Sequence, residues 1–204
     1  MVRRSGVILL LALAVAVASA CAKRPASDGS AGTSGETFVA PPAEGSIYDL
    51  DLTMVDAEGR RVALTDLRGR PVVASMVYTS CTSVCPRVTE DMKAVEKLLP
   101  EEVRARVTFA LFSLDPGRDT PAAMREFARS HALDEGRWRT FATSEDGVRD
   151  LSAVLGVKFK RESDGEIAHS ALIVVIDPAG VIRHRQLGLG QDPAPLLAAV
   201  SAGL

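Results

Sequence analysis

Two cysteines stand four apart in Tyr78-Thr79-Ser80-Cys81-Thr82-Ser83-Val84-Cys85-Pro86. They follow a short apolar run, Pro71 to Tyr78, that reads as a buried strand, and they precede a long helical pattern. Thiols at a strand-to-helix junction suit redox or metal chemistry. A helix start offers unpaired N–H groups and a partial positive charge, and both stabilise a thiolate. At least one of the two thiols should therefore be more acidic than a free cysteine. The thiolate is the form that binds metals and attacks disulfides. Residues four apart on a helix share one face at roughly 6 Å, which a disulfide tolerates. The pair can thus switch between dithiol and disulfide. A purely structural bridge is the weaker reading, because closing so short a loop constrains the unfolded chain little.

Two thiolates make an incomplete site for most metals, so the histidines matter. There are three, His131, His169 and His184. His169 lies in Ile167-Ala168-His169-Ser170-Ala171, just before an apolar run, where the loop entering a strand would lie beside the thiols. It is the candidate ligand, against the alternative of an ordinary loop histidine. His131 falls near a helix end, where a cation suits the helix dipole and a structural role fits better. His184 is flanked by arginines in an outer strand and reads as solvated. Two soft thiolates and one imidazole suit copper, Cu(I) above all, which tolerates low coordination. Zinc competes, but a structural zinc wants four ligands and no fourth is well placed.

The elements that must position these residues follow from the apolar pattern. Ile47 to Val55 reads as a half-buried strand, and Arg61 to Leu64 pairs back across Glu58-Gly59 as an N-terminal β-hairpin. Buried strands follow at Val72 to Tyr78, Val107 to Leu114 and Ala171 to Ile176, with a shorter one at Trp138 to Ala142. Helices are expected from Pro86 to Leu99, from Thr120-Pro121 to about Ala132, after the capping Ser144, and after Asp192-Pro193. Asp177-Pro178-Ala179-Gly180 turns the last buried strand into Val181 to Arg185. Buried strands alternating with helices imply an α/β fold with a mixed central sheet covered on both faces. With its N-terminal β-hairpin, this is the outline of a thioredoxin-like fold.

The rest of the chain places that domain. Arg3-Arg4, an apolar stretch from Val7 to Ala18, and Ala18-Ser19-Ala20-Cys21 form a signal-peptide pattern, residues 1–21. The apolar part is short of the roughly 20 residues a spanning helix needs. Ordinary cleavage after Ala20 and a lipoprotein box with lipidation at Cys21 both fit. Lipidation is preferred because it explains the cysteine, and an uncleaved anchor is the remaining route. All three put the domain outside the cytoplasm. Residues 22–46 are rich in Ser, Gly, Ala and Pro and read as a flexible tether. As a coil its 25 residues would span on the order of 27 Å. The globular domain is residues 47–204. Its mildly acidic charge and scattered arginines exclude a nucleic-acid-binding class, and nothing suggests more than a monomer.

The chain resembles the SCO/SenC family of copper-binding, thioredoxin-fold proteins. Three segments carry the likeness, over roughly Ile47 to the C-terminus. They are the Cys81–Cys85 segment above, Ser113-Leu114-Asp115-Pro116-Gly117-Arg118-Asp119-Thr120-Pro121, and His169-Ser170 leading into Leu172-Ile173-Val174-Val175-Ile176-Asp177. The resemblance implies that Cys81, Cys85 and His169 are copper ligands. It also implies that the protein delivers copper to the dinuclear copper site of cytochrome c oxidase, or reduces that site's thiols. The copper-accepting oxidase subunit, another envelope copper carrier and the membrane beneath the N-terminal lipid would be its partners. Asp115, after the second buried strand, is a candidate for supporting the ligands or docking a partner, against a role that only shapes its loop. Between Phe159 and His169 the chain is short and polar, where many members of the family carry a longer loop. A thiol–disulfide oxidoreductase using Cys81 and Cys85 without metal is the alternative function. A peroxidase of the same fold is disfavoured, because the usual peroxidatic surroundings are missing.

Overall fold

The computed structural model describes residues 45–204; Cys21 and the leader and tether around it lie outside them. Seven strands form the main sheet, β1 (Thr53–Asp56), β2 (Arg61–Ala63), β3 (Val72–Val77), β4 (Thr108–Ser113), β5 (Trp138–Ala142), β8 (Leu172–Ile176) and β9 (Ile182–Leu187). Their order across the sheet is β2-β1-β5-β4-β3-β8-β9. β3, β4 and β5 run parallel, and the flanking pairs are antiparallel, so the sheet is mixed as expected. β6 (Phe159–Arg161) and β7 (Ile167–His169) form a separate two-stranded hairpin.

Among the described residues five helices complete the fold: α1 (Val84–Leu98), α2 (Glu101–Arg104), α3 (Pro121–Ser130), α4 (Glu145–Leu155) and α5 (Ala194–Ala202). Every residue of β3 is buried, as the apolar run required, so both faces of the sheet are covered. α1 and α5 pack against each other and against β8. α4 reaches β3 through Ser152 Oγ, which donates to Met76 Sδ at 3.3 Å. Among the described residues no helix is long and apolar enough to cross a membrane.

Two expectations need correction. Residues Ile47–Asp49 are a 3-10 turn, not the start of a strand. Ser46 Oγ accepts from Tyr48 N–H, and the Asp49 carboxylate accepts from Ser46 N–H, both at 3.1 Å. This reciprocal cap satisfies the chain locally before a sheet ladder can. β1 then begins at Thr53, and its hairpin with β2 is retained. The second correction is the polar stretch before His169. It is the β6–β7 hairpin, turned at Gly165 with φ +87°. Its strands are three residues each, too short and too polar for an alternating pattern to be read.

Candidate metal centre

The parallel strands β3 and β4 end at the same edge of the sheet, with Val77 opposite Ser113. The segment from Tyr78 to Ser83 leaves that edge and turns into α1. Cys81 lies in this turn, three residues before the helix, with its N–H on Tyr78 O at 3.2 Å. Only Cys85 belongs to the first helical turn, so the two thiols do not share a helix face. They meet another way: Cys85 N–H donates to Cys81 Sγ at 3.3 Å. Ser83, at the cap position, makes no side-chain cap. Cys81 sulfur therefore takes one of the N–H groups a helix start leaves open. Pro86 sits within the first turn, where its missing N–H costs nothing.

His169 comes to this pair from the end of β7. Its Nε2 is 3.3 Å from Cys85 Sγ, and its Nδ1 donates to Ser170 O at 3.1 Å. A carbonyl can only accept, so Nδ1 carries the proton and the Nε2 lone pair faces the thiols. The ligand atoms of Cys81, Cys85 and His169 all lie within 4.8 Å of one another. Cys85 is wholly buried and Cys81 nearly so. This donor set, two sulfurs and one imidazole with no carboxylate, fits a soft monovalent ion better than zinc.

The electrostatics divide the two thiols. Burial works to raise the Cys81 pKa, but the N–H groups of Cys85 and Ser83, the Cys85 thiol and the Tyr78 hydroxyl together hold it below the ordinary thiol value. Burial pushes Cys85 well above that value, and its bond to the Cys81 sulfur adds to the rise. Burial also lowers the His169 pKa, which keeps the imidazole neutral and able to donate its lone pair.

Residues around the ligands hold them in place. Tyr78 Oη donates to Glu166 Oε2 at 2.9 Å, and its ring meets His169 edge-on at 5.8 Å between centroids. Asp119 is buried and receives Thr79 N–H at 3.0 Å, Thr79 Oγ1 at 2.6 Å and Ser113 Oγ at 2.6 Å. It ties the thiol loop to the end of β4. Sequence reasoning missed Tyr78, Asp119 and Glu166 as site residues. Tyr78 and Asp119 lie inside two of the motifs, but nothing in spacing says which member of a motif touches which. Asp115 is 3% exposed and does not touch the ligands. It receives Arg118 Nε, and Arg161 Nη1 at 2.9 Å, while Arg118 Nη2 also reaches Gly165 O at 2.6 Å. It therefore braces the β6–β7 hairpin that carries His169.

The other two histidines stay away from the site. His131 caps α3, stacked on Phe127 at 4.1 Å with Nδ1 on Phe127 O. His184 is half-buried in β9, where the sequence predicts a solvated side chain.

A mixed sheet of this topology with thiols at the β3–α1 turn defines a thioredoxin-like domain, here with an imidazole added to the dithiol. The SCO1/SenC family model matches residues 41–202, and the chain belongs to that family. It is 26% identical over 150 residues to the SCO1 protein homolog of Bacillus subtilis, covering 72% of this chain and 77% of the relative. Among solved structures it is similar to ScoI of Bradyrhizobium japonicum with copper bound. That match has a TM-score of 0.63 and 24% identity, and covers 75% of this chain and 97% of the other. A SCO1/SenC family lipoprotein of Bacillus anthracis matches with a TM-score of 0.67 and 22% identity, covering 76% and 96%. The two structural likenesses show a shared fold.

Proposed function

We propose that this chain is a copper metallochaperone of the bacterial cell envelope. It holds one copper ion through Cys81, Cys85 and His169. It delivers the ion to the dinuclear copper site of cytochrome c oxidase, or prepares that site's thiols. The observation that carries the reading is the convergence of three ligand atoms of this softness within 4.8 Å. The copper-bound relative supports it. Copper is cargo here, and the chain's own residues do three things. The turn at Cys81 and the first turn of α1 present two sulfurs, one of them more acidic than an ordinary thiol. The Nδ1–H bond to Ser170 O aims the His169 lone pair. Asp119 and the β6–β7 hairpin keep the donors together while the ion is absent.

Lipidation at Cys21 would hold the domain on an extracytoplasmic membrane face, in keeping with the lipoprotein relative. The copper-accepting oxidase subunit and another envelope copper carrier are its proposed partners. Metal analysis with absorption spectroscopy tests the ligand set. One copper per chain and a thiolate-to-copper charge-transfer band are expected. Cys81→Ser, Cys85→Ser and His169→Ala each lose the band. If His169→Ala binds Cu(I) and Cu(II) as tightly as the parent, the three-ligand reading fails.

The unequal thiols favour a second reading, a thiol–disulfide oxidoreductase. Cys81 would attack a partner disulfide as thiolate, and Cys85 would resolve the mixed disulfide, leaving the pair oxidised and the partner reduced. Reduction of a model disulfide at an equal rate by the parent and by His169→Ala would favour it.

A further inference from the structure

The edge of the sheet opposite the thiols has a chemistry of its own. Arg70 and Pro71 immediately precede β3, and Arg106 and Val107 immediately precede β4, linked by Thr108 N–H on Pro71 O at 3.0 Å. β8 ends beside them, with Ile176 opposite Val72, and Gly69 N–H donates to Pro178 O at 3.1 Å. The thiol loop starts at the other end of β3, about 20 Å away along six residues of strand. α1 spans the same depth, so its last residues, Lys97 and Leu98, also lie at this base.

Four cations are exposed there, Arg68, Arg70, Lys97 and Arg106. A cavity of about 200 Å³ opens between Arg70 and Arg106, floored by Pro71 and Pro178. Arg106 Nη2 also donates to Leu204 O at 3.3 Å. The neighbouring acids Glu101, Asp134 and Asp177 are each paired with an arginine, Arg104, Arg137 and Arg183. Glu102 of α2 and Glu135, next to Asp134, have no ion pair among the described residues. Leu98 and Leu204 stand exposed at 57% and 37% beside the cations. The chain also enters the domain here: Ser46 Oγ donates to Ala179 O at 2.6 Å, and Ile47 N–H donates to Gly180 O at 2.9 Å.

We propose that this base is a docking surface for anionic phospholipid, which seats the domain on the membrane and turns Cys81, Cys85 and His169 outward. The inference rests on the reading of Cys21 as a membrane anchor, and it adds an orientation to it. A tether entering at the base keeps that face within reach of the bilayer and raises its local concentration there. Guanidinium groups around a cavity with room for a phosphate match lipid headgroups. Exposed leucines beside basic side chains match the headgroup–acyl boundary. Each basic side chain near an anionic leaflet contributes about fivefold to partitioning, and salt screens it.

The test uses the full chain reconstituted in vesicles of phosphatidylglycerol and phosphatidylcholine, or of phosphatidylcholine alone. Sedimentation reports anchoring, copper titration reports the metal site, and amide hydrogen exchange reports docking, so the three can fail separately. Peptides covering residues 68–71 and 104–107 should exchange more slowly on the anionic vesicles by about fivefold or more. The slowing should vanish in high salt and in Arg70→Glu/Arg106→Glu, which binds copper as the parent does. Equal exchange on both vesicles overturns the proposal. So does equal slowing by inorganic phosphate without lipid, which would mark a free-anion pocket. Protection of residues 79–85 in place of the base overturns the orientation.

Discussion

Cys81 and Cys85 are chemically unlike, although their residue type is the same. Cys81 sulfur collects hydrogen bonds, while Cys85 is buried deeper and donates its own. Burial and the bond of its thiol to the Cys81 sulfur raise Cys85, while the N–H groups of Cys85 and Ser83 outweigh burial and lower Cys81. In the metal-free chain, Cβ chemical shifts followed against pH should show Cys81 ionising below an ordinary thiol. Cys85 should stay protonated far above that point. The thiolate form of Cys81 is lost as pH falls through its lowered value, so its attack on an alkylating probe slows in that window. The reverse order of ionisation would sink the assignment of Cys81 as the reactive thiol. The sequence showed that a thiol near a helix start should be acidic. It did not show which one, because that depends on where the helix begins.

Among the elements, the β6–β7 hairpin decides whether the third ligand arrives. It lies outside the main sheet and is held by side chains. Arg161 joins it to Asp115 at 2.9 Å and to Glu145 at 2.9 Å, and Tyr78 holds Glu166, the residue just before the opposite strand. Arg161→Ala leaves the Asp115 carboxylate with one arginine. Arg161 is 40% exposed, so solvent screening keeps the stability cost to about 1 kcal/mol. Copper affinity should fall by about tenfold, as loosened support for a ligand does. Lys160→Ala, at an exposed ion pair of the same strand, serves as the control and should change neither. If Arg161→Ala leaves copper affinity and hairpin hydrogen exchange unchanged, the bracing role is wrong. The motif marks Asp115 as a residue near the site, yet only the cross-chain partner Arg161, 46 residues away, shows what it does.

At the scale of the whole molecule, the two ends of the sheet do different work. One end gathers the ligands, and the other joins the N-terminal segment to the β8–β9 turn. Gly180 makes that join, with φ +93°, against Ser46 and the Tyr48 ring. A Cβ there would overlap both neighbours and strain the backbone. Gly180→Ala should therefore cost about 2–3 kcal/mol in urea unfolding, while copper titration stays at the parent value. A loss of copper binding in the folded variant would mean that the two ends are coupled.

What the sequence by itself determined was local and periodic. Short apolar runs bounded by turn residues fit buried strands, Thr120-Pro121 and Ser144 fit helix starts, and a thiol pair at a strand-to-helix junction suits redox or metal chemistry. Those signals carried the mixed α/β sheet, its hairpin at the N-terminal side and the Cys81–Cys85 pair. Tertiary structure alone decided the rest. The capped turn at Ile47 won over a strand because two side chains, Ser46 and Asp49, satisfied the backbone first. The polar stretch before His169 became a hairpin because Gly165 turns it and because Asp115 and Tyr78 gave it partners from elsewhere in the chain. The thiol pair that alternation and spacing had marked became a three-ligand site only when that hairpin brought one lone pair to 3.3 Å from a sulfur, a distance no local pattern encodes.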